Sequence, residues 1–408
     1  MLLLFPIKSS PIFKQPALQI LNLAFYNPFL FNQEGDTLFI SHFKLMLSLA
    51  LTTSSFLPRT FAMKTIILIS DTVPPDINGV ATTLKNYLKY LNQDHYCIKV
   101  ISPNLYKTIP CPFSPDVKLA YGIRIDKSVF EGEFAVHLLT EGPLGIAYRN
   151  YCIRQKIKFT TSYLTMFPEY LREYLKVPLL LSRIYFRWFH KRSAGVFCCT
   201  KELIAKNQWL NHKNLVICRK GVDTNVFTYK NKIDPTIPTL LYVGRVAKEK
   251  NLEDFCKLKV ASRKVIVGEG PFLLTLKEKY KEVEFLGKLT GQKLVEVYQN
   301  AAVFVFPSQT DTFGLVMLEA LSCGTPVVAY PVNGALDLQR SGTVFCNSDL
   351  NLGVIEALEN KDNWQCRKQA LEYDWSYSVS NFMEQLVFNR LKNNTSASKN
   401  LSQVFIES

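Results

Sequence analysis

From residue 63 onward the chain alternates short, wholly apolar runs with stretches of helical period, and that alternation admits few folds. The run Ile66-Ile67-Leu68-Ile69 has no polar residue at every second place, so it reads as a strand buried on both faces. Repeated runs of this kind, separated by helices, build parallel sheets covered by helices, and the predicted class is α/β. In the first half, strands are predicted at residues 66–70, 98–101, 135–139, 159–162 and 196–199, with 216–217 closing that sheet and a helix over 82–91. In the second half they fall at 239–243, 264–267, 284–286, 303–307 and 327–330. Between the halves, residues 228–238 (TYKNKIDPTIP) are polar, hold two prolines and mark a linker. The predicted organisation is therefore a first domain over 63–227, a linker over 228–238 and a second domain over 239–375, followed by a helix over 376–392 and a loose polar tail over 393–408.

Residues 1–62 behave differently. Pro6, Pro11, Pro16, Pro28 and Pro58 break their apolar runs, and no helical or strand period is sustained. Met63-Lys64-Thr65 opens the first clean strand and resembles a natural start, so the segment reads as a poorly structured, dispensable extension. A membrane-associating segment and a cleaved signal are the competing readings.

Charge narrows the partners. The 48 basic against 34 acidic residues give +14, and from Tyr151 to Lys220 there are 14 Lys or Arg against only Glu169, Glu173 and Glu202. Such a local excess suits a membrane surface, nucleic acid or a phosphorylated substrate, or is simply solvated. No nucleic-acid-binding module is recognisable, so that partner is not expected. The ten cysteines form no CxxC pair, and the histidines at 42, 95, 137, 190 and 212 have no ligand spacing. Reduced thiols and a cytoplasmic chain without a histidine metal site are expected.

In sheets of this kind a ligand sits at the carboxyl ends of the strands, so the loops after strands carry the chemistry. The first, residues 71–80 (DTVPPDINGV), brings Gly79 to a helix start that Thr82 or Thr83 can open. The second, Val243-Gly244-Arg245 with Lys250 five residues on, sets two cations beside a glycine, which suits a diphosphate; surface pairing with Glu249 or Glu253 is the plain alternative. The third, Gly268-Glu269-Gly270-Pro271, is a tight turn. The fourth places Asp311 in a loop and Glu319 in the following helix, with Gly314 between them. Carboxylates accept hydrogen bonds from sugar hydroxyls, and the N–H groups around Phe313, Gly314 and Leu315 can face a phosphate.

These residues resemble the retaining glycosyltransferases of family 4 (the group 1 glycosyltransferases), with the bacterial alpha-mannosyltransferase-like branch most similar. The resemblance runs from about residue 63 to 392 and is carried by TDTFG and LEALSCGTPVVAYPV, with TEGPLG (140–145), FPEYL (167–171), GVDTNVF (221–227) and GRVAKEKNLE (244–253). It implies a GT-B architecture, two Rossmann-like domains with parallel sheets facing across a cleft. It also implies transfer of a hexose, mannose-type favoured, from a nucleotide-diphosphate sugar with retention of configuration to a lipid-linked or membrane-surface acceptor. By the same resemblance Arg245 and Lys250 bind the diphosphate, Asp311 and the loop Phe313-Gly314-Leu315 hold the sugar, Glu319 binds the ribose, and Gly79, Gly244 and Glu269 complete the donor site. No metal or other cofactor is implied, and the setting is the cytoplasmic, inner face of a cell membrane. Asp311 stands where the family usually has glutamate. Leu164 stands where the family has a histidine facing the donor sugar, which raises the alternative of a catalytically impaired nucleotide-sugar-binding protein.

One further segment, residues 178–192 (PLLLSRIYFRWFHKR), lines Arg183, Arg187 and Lys191 along one helical stripe beside Ile184 and Trp188. That is the composition of an interfacial helix.

Overall fold

The computed structural model describes residues 63–390 apart from 77, 92–94, 112–113, 232–235 and 310. The sequence expectations for 1–62 and 393–408 lie outside the described residues. The strands, in chain order, are β1 (Lys64–Ile69), β2 (Tyr96–Ile101), β3 (Lys107–Cys111), β4 (Ser114–Tyr121), β5 (Glu133–Leu138), β6 (Thr160–Tyr163), β7 (Val196–Cys198) and β8 (Leu215–Ile217) in the first half. The second half holds β9 (Thr239–Val243), β10 (Arg263–Val267), β11 (Glu284–Gly287), β12 (Val303–Phe306), β13 (Val327–Ala329) and β14 (Val344–Cys346), and β15 (Phe388–Arg390) closes the described chain.

Two parallel sheets result, as the alternation requires. The first runs β2-β1-β5-β6-β7-β8, and the second runs β11-β10-β9-β12-β13-β14. In each, the order reverses beside the first strand, between β1 and β5 and between β9 and β12, which leaves a crevice at the carboxyl ends. Ile66, Ile67, Leu68 and Ile69 are fully buried, each contributing about 1.5–3 kcal/mol by leaving water. None of the ten cysteines forms a disulfide.

The hairpin β3–β4, paired antiparallel from Lys107 opposite Tyr121, has no counterpart in the sequence expectation. Its first strand, KTIPC, contains a proline and is largely exposed, so it lacks the apolar run by which buried strands are recognised. The helix starting near Gly79 also differs. It spans Gly79–Tyr90 rather than opening at Thr82 or Thr83, because the Asn78 side chain caps it by accepting from the backbone N–H of Val80 and Ala81.

The C-terminal end needs a correction. A helix over 376–392 was expected, yet the helix is Trp375–Glu384, and Phe388–Arg390 is a strand antiparallel to the start of β5. Strand β6 begins opposite His137, leaving the edge of β5 at Glu133–Ala135 unpaired, and β15 fills it. Asn389 fixes the join, its side chain accepting from the Lys158 N–H at 2.9 Å and donating to the Lys158 carbonyl at 2.8 Å. Helix Trp375–Glu384 likewise returns to the first sheet: Trp375, Val379 and Phe382 pack with Ile66, Leu68, Leu84 and Tyr87. Gly221, which opens GVDTNVF, lies where a Cβ would be 2.8 Å from the Trp375 nitrogen. Its glycine is explained by that close approach.

Candidate active site

The crevice of the second sheet lies between the loop after β9 and the loop after β12, and an ion pair crosses it. The turn Lys248–Lys250 follows β9, and the Lys250 ammonium reaches both oxygens of Asp311, at 2.7 and 2.8 Å. Burial opposes the lysine's charge, but the Asp311 carboxylate, with Tyr170 and Tyr242 nearby, outweighs it and holds the ammonium pKa above its ordinary value. The alternative pairing with Glu253 is not what forms: Glu253 instead binds Lys257 and Lys279. Arg245 is half-buried in the same loop, and among the described residues its guanidinium has no ion pair or hydrogen bond.

Asp311 is followed by Phe313, whose ring is buried in the core and so offers only its backbone to a ligand. Gly314 caps helix Leu315–Ser322 in the left-handed region (φ 82°), where a Cβ would meet the Phe306 ring at 2.8 Å. Glycine is required there on both counts. Leu315 packs, half-buried, against the apolar cluster of the first sheet. One turn into this helix Glu319 accepts a hydrogen bond from the Tyr298 hydroxyl at 2.9 Å. Burial pushes its carboxyl up to about 7, against the opposing effect of that bond. Tyr298 has no local signal in the sequence, since it comes from a helix, Gly291–Asn300, that meets Glu319 only in the folded chain.

The remaining glycines divide. A Cβ on Gly79 would meet nothing within 4 Å, so that helix start is open to a ligand, although Asn78 already takes two of its N–H groups. By contrast Gly244, Gly268 and Gly270 serve chain packing. A Cβ on Gly268 would fall 1.8 Å from the Gly244 carbonyl, one on Gly270 2.3 Å from that of Val246, and one on Gly244 2.7 Å from the Tyr242 hydroxyl. The loops after β9 and β10 thus lie backbone to backbone, joined by Gly244 N–H to Val267 O at 3.0 Å and Val246 N–H to Glu269 O at 2.8 Å. The Glu269 side chain projects into solvent.

The loop after β12 also touches the first half. The Thr312 hydroxyl donates to the Leu164 carbonyl at 2.6 Å, and the Cys199 thiol lies 3.6 Å from the Thr312 carbonyl. The Leu164 side chain packs, half-buried, on the apolar cluster beneath β1. Among the described residues, no three His, Cys, Asp or Glu side chains converge as metal ligands.

Residues 224–372, which contain Arg245, Lys250, Tyr298, Asp311 and Glu319, match the family described as glycosyl transferases group 1. Over these residues the chain is a group 1 glycosyltransferase domain. Curated relatives of this glycosyltransferase include the sulfoquinovosyl transferase SQD2 of Arabidopsis thaliana, 25% identical, with 73% of this chain and 68% of the relative covered. The GDP-mannose-dependent alpha-mannosyltransferase of Mycobacterium tuberculosis is also 25% identical, with 67% and 80% covered. Among solved structures, sucrose-phosphate synthase from Thermosynechococcus elongatus superposes with a TM-score of 0.61 at 17% identity, covering 79% of this chain and 98% of that one. HepE from Anabaena, solved with UDP and glucose, gives 0.54 at 13% identity, with 78% and 98% covered. The architecture is GT-B.

Proposed function

We propose that this glycosyltransferase moves a hexose, mannose-type favoured, from a nucleotide-diphosphate sugar to a lipid-linked or membrane-surface acceptor, with retention of configuration. The observation that carries the proposal is the Lys250–Asp311 pair at 2.7 Å across the second crevice, with Arg245 in the same loop unpaired among the described residues and Glu319 one turn into the helix that follows Asp311. In this reading Arg245 takes the diphosphate directly. Lys250 holds Asp311 toward the sugar and shares its charge with the phosphates, so that negative charge developing on the leaving diphosphate meets preorganised cations. Glu319 accepts from the ribose hydroxyls, and the backbone of Phe313, Gly314 and Leu315 borders the sugar, with Gly79, Gly244 and Glu269 around the donor. No cofactor beyond the nucleotide sugar is proposed.

A lipid or membrane-surface acceptor is supported by the exposed apolar stripe of helix Leu179–His190 and by a relative named alpha-monoglucosyldiacylglycerol synthase, from Streptococcus pneumoniae, 24% identical over 71% of this chain. No helix among the described residues is long and apolar enough to cross a membrane, so the proposed attachment is peripheral, at the inner, cytoplasmic face of a cell membrane.

The test is a thermal-shift screen of nucleotide-hexoses with the full chain, followed by turnover with the donor that stabilises it and anomeric analysis of the product. A donor that raises Tm and yields product of unchanged configuration is the expected result; no shift with any nucleotide sugar overturns the assignment. A second reading, a donor-binding but catalytically impaired protein, is favoured by the packing of Leu164 into an apolar cluster. Stabilisation without any turnover would select it.

A further inference from the structure

Away from the crevice, the carboxyl ends of two helices of the first half meet around a cavity of about 530 Å³ lined by Arg149, Asn150, Ile153, Arg154, Trp188, Lys191 and Arg192. The helices are Pro143–Arg154 and Leu179–His190. Four of the seven lining residues are cations and none is acidic. Arg149 is buried, 4% exposed, and its guanidinium is held in place: Nε donates to the Phe189 carbonyl at 2.7 Å, Nη2 to the Trp188 carbonyl at 2.6 Å and Nη1 to the Asn150 side chain at 2.9 Å. It also stacks on the Trp188 ring, 3.9 Å from the centroid.

Three of the five guanidinium N–H groups are thereby used, and among the described residues no carboxylate pairs with it. Arg154, Lys191 and Arg192 likewise have no ion pair among the described residues. One arginine would suffice to satisfy the last carbonyls of helix Leu179–His190. Gathering three more cations around a buried one costs repulsion, of which the two helix carboxyl ends offset a part and a bound anion would offset more; burial together with Arg192 lowers the Arg149 pKa.

We propose that this cavity is a binding site for the phosphate headgroup of an anionic membrane lipid. The choice of a lipid over a free phosphate rests on the helix leading into the cavity. Leu180 (70% exposed), Ile184 (56%) and Trp188 (43%) fall at i, i+4 and i+8 with Leu181 beside them, an apolar stripe that a soluble anion has no use for and a bilayer interface buries. Trp188 belongs to both stripe and cavity, so the acyl region and the headgroup would be read by one side chain. The volume suits a phosphate with its glycerol. The proposal rests on the membrane-surface reading above and narrows it to one place. It requires no donor and no turnover.

The experiment uses the full chain with vesicles of phosphatidylcholine alone or mixed with phosphatidylglycerol, read by co-sedimentation and by tryptophan fluorescence, with Trp188→Phe identifying the Trp188 signal. Wild type is expected on the mixed vesicles only. The double variant Arg154→Glu, Arg192→Glu, both exposed positions, should lower partitioning about tenfold or more, at about one unit of interfacial energy per cation near the surface. The charge-matched control Lys288→Glu, Lys293→Glu, on the second half, should lower it far less. Equal losses in the two variants overturn the pocket in favour of diffuse charge while leaving the membrane reading intact; no binding by wild type overturns both. Saturation of the Trp188 signal by inorganic phosphate as readily as by lipid would make the ligand a free phosphate and overturn the headgroup assignment.

Discussion

Each sheet has a crevice where its strand order reverses, and in each a polar bridge joins the two loops that flank it, but the bridges differ in kind. In the first sheet, Asp71 after β1 accepts from the Thr140 hydroxyl at 2.6 Å and the Leu144 N–H at 2.9 Å, while its own N–H donates to the Thr140 oxygen at 2.8 Å. All three groups are buried, and Gly142 has no Cβ because one would lie 2.5 Å from that carboxylate. In the second sheet, Lys250 and Asp311 keep 16% and 20% of their side-chain surface exposed, and Arg245 in the same loop as Lys250 has no ion pair among the described residues. One topology therefore yields two outcomes. Where the bridge is buried and saturated it fastens helix Pro143–Arg154 to the sheet, and where it is half-open with cation to spare it is fit for a ligand.

The largest expected effect comes from breaking the first bridge. Asp71→Ala removes a helix cap worth about 1–2 kcal/mol and strands the buried Thr140 hydroxyl at a further ~1–3 kcal/mol. Urea unfolding should show a loss of about 2–5 kcal/mol, the sum of the two, with kcat of the remaining folded protein little changed. A stable but inactive Asp71→Ala would place the first crevice in the chemistry and end the contrast. Arg245→Ala should do the opposite. Its stability should stay within about 0.5 kcal/mol, while transition-state stabilisation falls by about 2.7–4 kcal/mol, the magnitude for removing one preorganised donor at a developing anion. Lys250→Ala should match that loss in kcat/KM and also leave Asp311 unpaired. Wild-type kcat/KM in both variants with the true donor would remove the diphosphate assignment.

How much of this was legible in sequence follows from where each signal resides. The strand at Ile66-Ile67-Leu68-Ile69 and the one at Thr239–Val243 were legible because burial on both faces leaves a continuous apolar run. Gly314, Asp311 and Glu319 were legible as a pattern in one loop and helix. The Lys250–Asp311 pair was not, since its partners are 61 residues apart and each has a plausible local alternative. TEGPLG was read with the family's motifs, yet Thr140 and Gly142 serve the structural bridge. Gly268 and Gly270 similarly answer to a neighbouring loop's carbonyls, which no local pattern displays. The short strand β15 escaped because the edge it fills is created by the late start of β6.

A smaller effect sharpens the second crevice. Glu319 titrates near 7 in the fold against an ordinary 4.5, so the folded state holds its proton more tightly than the unfolded chain. Stability from this group is present below about pH 4.5 and is lost as pH rises through 7, by at most roughly 3 kcal/mol at 1.36 kcal/mol per unit. Glu319→Gln should therefore raise Tm relative to wild type at pH 8 and scarcely at pH 4.5. Because ribose hydroxyls donate to the charged carboxylate, wild-type nucleotide affinity should increase from pH 6 to pH 8, and the variant's should not. A Tm gain of equal size at both pH values would show that the carboxyl is not the titrating group.

The smallest expected effect concerns the contact between the halves. Leu164 stands beside the loop after β12, since its carbonyl accepts from the Thr312 hydroxyl at 2.6 Å, while its side chain packs on the apolar cluster of the first sheet. If the donor sugar lies against this loop, an apolar side chain at 164 leaves a sugar hydroxyl unpaired, at a cost of roughly 1–3 kcal/mol, or about five- to 150-fold in rate. Leu164→His should restore that bond and raise kcat within this range with little change in donor affinity, at a stability loss of about 1 kcal/mol for the apolar contact given up. Thr312→Val provides the control, because it releases the Leu164 carbonyl without altering the side chain at 164. It should lower kcat in the Leu164→His background more than in wild type, since only there does the position of residue 164 matter to the sugar. A folded Leu164→His protein turning over no faster than wild type would mean that residue 164 meets the first sheet's core and not the donor.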